Sequence, residues 1–122
     1  MAAGHRILVV DDNAIGRESL ADVLRLAGHE VAEAADGPGA LGLARDFRPR
    51  IVLVDIGLPG MDGFDVAVRL RNMTEIPDAI LIALTGFAHP DIAARAGTVG
   101  FNHHVVKPVH PNDLEALFPP VS

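Results

Sequence analysis

The sequence predicts an α/β domain, a doubly wound parallel sheet of five strands with five helices on its two faces. Three observations carry that expectation. Short uninterrupted apolar runs recur, the clearest being Ile51-Val52-Leu53-Val54, and such runs mark strands buried on both faces. Segments with helical spacing alternate with these runs along the whole chain. Four runs end directly in polar residues: Asp11 and Asp12, then Asp55, Thr85 and Lys107. In a parallel sheet those ends share one edge, and open α/β sheets bind ligands outside that edge.

Composition narrows the function. The 122 residues are the size of one domain, taken as 1–122 with a core of about 6–118, and 49% are hydrophobic, enough to bury a core. The absence of cysteine excludes disulfides and thiolate metal sites and fits a cytoplasmic protein. A net charge of −6 argues against direct nucleic-acid binding by the domain itself. No apolar run approaches the ~20 residues of a membrane span. Met1 to Arg6 is too short for a signal peptide before the first strand. No low-complexity segment or repeat at solenoid periods is present.

Taken in order, Arg6–Val10 is a buried strand. Ala14–Ala27 follows as a helix, with Ile15, Leu20, Val23, Leu24 and Ala27 at helical spacing and Gly28 as its stop. Glu30–Ala34 is a weaker strand. Asp36-Gly37-Pro38 starts a helix running to about Phe47. The strand ending at Asp55 leads into a loop kept open by Gly57, Pro59 and Gly60, and Asp62 is the expected cap of a helix to Arg71. That helix offers Phe64, Val68 and Leu70 to the sheet. Pro77 precedes a strand over Ala79–Leu84. A short helix from His89-Pro90-Asp91 to about Ala96 is weakened by Gly97 and Gly100. His103–Val106 is the last strand. A brief helix, Pro111–Phe118, places Leu114, Leu117 and Phe118 on one face before Pro119-Pro120 stops it. The expected strand order is 2-1-3-4-5, with right-handed crossovers.

That order makes the first and third strands neighbours, so three carboxylates crowd one cleft with a hydroxyl and an ammonium beside them. Like charges at close range resist full ionisation. A hard divalent cation relieves this, and Mg²⁺ suits one or two carboxylates, a carbonyl, waters and a phosphate oxygen. Asp55, with strand on one side and open loop on the other, is a candidate nucleophile toward phosphorus, giving an acyl phosphate. Phosphoryl transfer needs positioning and charge neutralisation, which Mg²⁺ and Lys107 supply, and Thr85 can hydrogen-bond a phosphoryl oxygen. Singly, Asp11 or Asp12 reads as a helix cap, Thr85 as a turn residue and Lys107 as a solvated lysine. Jointly, each directly after a buried strand, they read as a site.

The segments Val9-Val10-Asp11-Asp12-Asn13, Val54 through Gly63, Leu84-Thr85-Gly86 and Val106-Lys107-Pro108 resemble the receiver domain of two-component response regulators, a CheY-like, flavodoxin-like fold. The resemblance covers about Arg6 to Phe118, and the strand order rests on it as much as on the alternation of elements. It implies that Asp55 accepts a phosphoryl group from a phosphohistidine on a histidine kinase or histidine phosphotransfer protein. It implies Mg²⁺, with Mn²⁺ as a substitute, held by Asp12, Asp55 and the Gly57 carbonyl, with Asp11 helping through water. It implies that Thr85 and Lys107 hold the phosphoryl oxygens and that the Lys107-Pro108 bond is cis. Leu84 through Phe87 and His104 through Val109 are most similar to stand-alone receivers or those of hybrid histidine kinases. Such a domain is not counted as an enzyme, although it catalyses its own phosphorylation and dephosphorylation.

Two departures stand out. The family's switch aromatic, partner of Thr85 in the switch, falls on His104, which is smaller and can titrate. The last helix is short, which leaves little area for a dimer face and makes a monomer or weak dimer the expectation. No effector domain follows in these residues, so output is expected through a protein partner reading the face made by the fourth helix, last strand and last helix, or through a longer protein. A phosphatase of the haloacid-dehalogenase type combines similar residues, but there the nucleophile follows the first strand and the paired acids come last. A receiver-like module that binds partners without phosphorylation would normally lack one of the five site residues, and here all are present.

Overall fold

In the parallel sheet the apolar runs become five strands: β1 (Arg6–Val10), β2 (Glu30–Ala34), β3 (Ile51–Asp55), β4 (Ile80–Thr85) and β5 (His103–Val106). The computed structural model describes residues 4–58, 60–86 and 90–120. All four ladders are parallel, and the order is β2-β1-β3-β4-β5, as expected. The helices between them are α1 (Ala14–Leu26), α2 (Gly37–Phe47), α3 (Gly63–Arg71), α4 (Pro90–Val99) and α5 (Pro111–Glu115). Pro59, Phe87 and His89, quoted above in a loop, a motif and a helix start, lie outside the described residues.

Successive side chains of a strand point to opposite faces, and the core divides accordingly. Leu8, Val10, Val52, Val54, Leu81 and Ala83 face α2, α3 and α4, where Ala40, Ala44, Val66, Ala67, Leu70 and Ala96 meet them. Ile7, Val9, Ile51, Leu53, Ile82 and Leu84 face α1 and α5 through Leu24 and Leu114. The apolar runs are unbroken because these central strands are covered on both sides. β5, an edge strand, is only half-buried or exposed.

Several helical details correct the sequence reading. On α1 the inward stripe is Leu20, Ala21 and Leu24. Ile15 and Leu26, 79% and 88% exposed, lie on the opposite side, Val23 is partly exposed, and Ala27 is the exposed C-cap. On α3 the buried set is Gly63, Phe64, Val66, Ala67 and Leu70, and Val68 is 43% exposed. Val66, Ala67 and Leu70 centre the buried face, and Val68 falls roughly 150° round the helix from its middle. Helix α4 runs through Gly97 to Val99. One helical glycine costs only about 1 kcal/mol, and packing of Ala96 outweighs it. The helix stops at Gly100, whose φ of +112° favours glycine. Helix α5 is shorter than expected, yet single i→i+3 turns continue it through Leu117 and Phe118, and both pack on the core with Leu114.

The helix starts behave as read. Asp36 caps α2 and Asp62 caps α3, each accepting a backbone N–H three residues on. The β1–α1 turn is capped by Asn13, so neither Asp11 nor Asp12 is needed for that task. Gly63 lies directly against the end of β3, where a Cβ would stand 2.4 Å from the Ile56 Cα and 2.7 Å from the Asp55 carbonyl oxygen. Both neighbours are backbone and cannot swing aside. Gly63→Ala should therefore destabilise the fold by about 1–3 kcal/mol, read as a lower urea midpoint with an unchanged slope. A parent-like midpoint would mean that the β3–α3 loop moves freely away from the strand.

Candidate functional site

The strand register brings the polar ends to one line. Val10 pairs with Val54, so the next step along each strand sets Asp11 beside Asp55. Asp55 pairs with Leu84, one residue before Thr85, and Thr85 pairs with Val106, one residue before Lys107. The Lys107 N–H donates to the Thr85 carbonyl at 2.7 Å, tying the two residues through the backbone.

At the centre is the Lys107 ammonium. Nζ donates to Asp55 Oδ2 at 2.9 Å and to Asp11 Oδ2 at 3.1 Å. Each carboxylate is oriented through its other oxygen. Asp55 Oδ1 accepts the Gly57 N–H at 2.8 Å, and Asp11 Oδ1 accepts the Asn13 N–H at 3.0 Å. Asp11 is buried and Asp55 partly so, while Asp12 is exposed at the rim. Asp11, Asp12 and Asp55 each present one oxygen within 4.8 Å of the other two. Three hard oxygen donors at that spacing fit a divalent cation, because each carboxylate oxygen keeps a lone pair beyond the bond it already accepts.

Burial by itself lowers the affinity of Lys107 for its proton. The hydrogen bonds to Asp55 and Asp11, with the charges of both carboxylates, outweigh it and raise the ammonium above the ordinary lysine value.

The other predicted positions are dispersed as follows. Thr85 is buried at the end of β4. Gly57 reaches the site through its N–H to Asp55. His104 is exposed on β5 opposite Ala83, two residues back from the level of Thr85, and does not enter the cleft. The Lys107-Pro108 bond is cis. The sequence reading missed Arg17, whose Nη1 donates to the Asp11 carbonyl at 2.8 Å, and Glu33, which accepts from Arg17 Nε at 3.3 Å. A charged residue on the inward stripe of α1 was the available signal.

A parallel doubly wound sheet with three carboxylates, a hydroxyl and an ammonium converging at its carboxyl edge defines an α/β domain with its ligand site beyond the strand ends. The chain belongs to the response regulator receiver domain family, whose model matches residues 7–118. It is 36% identical over 114 residues to the transcriptional regulatory protein PdtaR of Mycobacterium tuberculosis, covering 93% of this chain and 54% of that one. The chain spans about half the length of the curated relatives it matches. The chemotaxis protein CheY4 of Vibrio cholerae superposes with a TM-score of 0.89 at 30% identity, over 94% of this chain and 96% of that one. A response regulator of Burkholderia pseudomallei, solved with a phosphorylated aspartic acid and a calcium ion, superposes with a TM-score of 0.86 at 29% identity, over 92% and 65% of the two chains. No helix among the described residues is long and apolar enough to cross a membrane.

The sign of the Lys107 shift sets a pH dependence. A group bound more tightly to its proton in the folded state stabilises fully below its unfolded pKa and stops doing so as pH rises through the folded one. The metal-free parent should be more stable than Lys107→Met by an amount constant from about pH 6 to 9. The difference should shrink only above the ordinary lysine value of 10.5. Urea denaturation of both proteins across that range measures it, and a difference that vanishes near pH 8 would contradict the raised ammonium.

Proposed function

We propose that this chain is a phosphoacceptor receiver domain in which Asp55 takes a phosphoryl group from a phosphohistidine and so switches the face presented to a protein partner. The observation that carries the reading is Asp55 itself. It ends the central strand, is held by Gly57 and Lys107, and shares a cleft with two further carboxylates. The phosphorylated aspartic acid in the Burkholderia relative supports it.

In the transfer, an Asp55 carboxylate oxygen attacks phosphorus. A P–O bond forms, the P–N bond breaks, and the imidazole of the donor leaves with the electron pair. The Gly57 N–H and the Lys107 ammonium hold the attacking carboxylate in place. Asp12, Asp55 and the Gly57 carbonyl would hold Mg²⁺ (or Mn²⁺), with Asp11 acting through water. When bound, that ion neutralises charge on the carboxylates and the phosphoryl oxygens. Lys107 turns from Asp55 to a phosphoryl oxygen, and the Thr85 hydroxyl takes another. Movement of Thr85 opens space for His104 to turn inward, a population shift between two packings that alters α4, β5 and α5. The same groups serve hydrolysis, in which water attacks phosphorus, the bond to Asp55 breaks and the carboxylate leaves with the electron pair as inorganic phosphate departs. The domain thus catalyses its own phosphorylation and dephosphorylation without being an enzyme acting on other substrates.

The donor is a histidine kinase or a histidine phosphotransfer protein. Ile15 is exposed at the start of α1, and the groove lined by Leu20, Val23, Pro108, Val109 and Pro111 opens beside Asp11 and Lys107. An apolar surface next to the acceptor suits a helical donor that must bring its phosphohistidine into the cleft. The reader of the switched face is a protein effector, and the five-residue α5 supports a monomer or weak dimer. PdtaR is named as a transcriptional regulator and is about twice as long, so the expectation of no direct nucleic-acid contact extends to these residues and no further. The lack of cysteine supports a cytoplasmic setting.

Incubation with acetyl phosphate and Mg²⁺ should add one phosphoryl group, mapped by mass spectrometry to Asp55, and Asp55→Asn should take up none. Phosphate release that persists undiminished in Asp55→Asn would instead indicate a phosphatase of the haloacid-dehalogenase type, and no labelling a silent module. Mg²⁺ at a hundred times its Kd should stabilise the protein by about 2.7 kcal/mol, and Asp12→Ala should abolish the gain. A parent melting curve indifferent to Mg²⁺ would remove the metal from the mechanism.

A further inference from the structure

Arg17 stands near the start of α1, one turn before Leu20 and Ala21 and two before Leu24, on the stripe that faces the sheet. An apolar residue would ordinarily occupy such a position. Its side chain is only 15% exposed. The guanidinium makes two bonds, from Nη1 to the Asp11 carbonyl at 2.8 Å and from Nε to Glu33 Oε1 at 3.3 Å. The second oxygen of Glu33 accepts from Arg25 Nη2 at 3.1 Å, and the same nitrogen donates to the Val31 carbonyl at 3.0 Å. A chain of bonds therefore runs from β2, across α1, to the peptide joining Asp11 to Asp12.

Besides the bond from Lys107 to its Oδ2, Asp11 is held at three further atoms. Its N–H donates to the Ala34 carbonyl at 3.1 Å, its Oδ1 accepts the Asn13 N–H at 3.0 Å, and its carbonyl accepts from Arg17. Asp12 is exposed, so its direction depends on the peptide plane that precedes it. That carbonyl lies past the last pair of the β1 ladders, and without Arg17 it would turn to water and let the plane rotate.

We propose that Arg17, braced by Glu33, is a positioning residue for the divalent-cation site, fixing the Asp11–Asp12 peptide so that Asp12 is presented beside Asp55. The proposal rests on the reading of Asp11, Asp12 and Asp55 as a metal site. A guanidinium suits the task because its rigid planar fork satisfies a carbonyl and a carboxylate together, which an ammonium on a flexible stem does less well. Its charge alone would oppose a cation. Charge and positioning therefore predict opposite signs when Arg17 is removed.

The test is Mg²⁺ affinity, measured by titration calorimetry on the full chain well below its melting temperature, for the parent, Arg17→Lys, Arg17→Met and Glu33→Gln. The metal-free melting curve of each is recorded alongside. Positioning predicts about tenfold weaker Mg²⁺ binding in both Arg17 variants, within the range known for groups that orient metal ligands. Glu33→Gln, which keeps Arg17 but loosens its brace, should weaken binding less and serves as the test if an Arg17 variant does not fold. Affinity equal to or tighter than the parent's in either folded Arg17 variant overturns the proposal, since the side chain then acts only as a charge or as a prop for the fold. A parent that takes up no Mg²⁺ overturns the metal reading and this proposal together.

Discussion

Three carboxylates cannot share a cleft in water-poor surroundings unless something positive sits among them. Two unit charges 4 Å apart interact with about 4 kcal/mol at the effective dielectric near a protein surface, a sizeable fraction of a domain's net stability. In this fold the positive group is Lys107, within 3.1 Å of an oxygen on each of Asp11 and Asp55. Much of the C-terminal part of the chain makes sense as the means of holding it there. β5 is a short edge strand with two exposed and two half-buried residues, and it contributes little to the core. Its register against β4, and the bond from the Lys107 N–H to the Thr85 carbonyl, set the ammonium at the level of the acids.

The opposite edge of the sheet is closed by a different set of contacts. Arg71 donates to the carbonyls of Gly100 and Ala79 and to the side chain of Asn102, joining the end of α3 to the segments that flank β4 and β5. His5 bonds the Pro119 carbonyl at 2.7 Å, stacks on His29 and meets Phe118 edge-on, which seats the residues after α5. His29 in turn reaches Glu115 at 2.6 Å. These bonds do not involve the acidic cleft. The scaffold is therefore pinned at one edge, and the loops at the other are arranged by charge, so charge is the quantity whose change can rearrange them.

The sequence revealed most where one physical rule dominates. Central strands covered on both faces read as unbroken apolar runs, so β1 and β3 were legible to within a residue, and β2 matched its weaker reading. The site was legible because its side chains directly follow those strands. Helical faces were less so. Ile15, Leu26 and Val68 are apolar but stand on helix sides that the sheet does not cover, and composition alone does not separate an uncovered apolar residue from a buried one. α4 outran its expected end because packing of Ala96 outweighs the propensity of Gly97. Arg17 and Glu33 stayed hidden because their role depends on two elements meeting, and neither residue carries a motif.

Among the three acids, geometry distinguishes Asp55 as the acceptor the proposal needs. A nucleophile must be reachable, and the charge of its product must be neutralised. Asp11 is next to Lys107 but only 5% exposed, so it fails the first condition. Asp12 is reachable, yet the ammonium bonds its two neighbours and not Asp12 itself. Asp55 meets both conditions. It stands at the end of the central strand, partly exposed, with the Gly57 loop leaving one flank open and Lys107 against the other. The division of labour follows from position in the sheet. The buried acid anchors the ammonium, the rim acid is turned to solvent, and the partly exposed acid at the end of β3 is the one the proposal takes as acceptor.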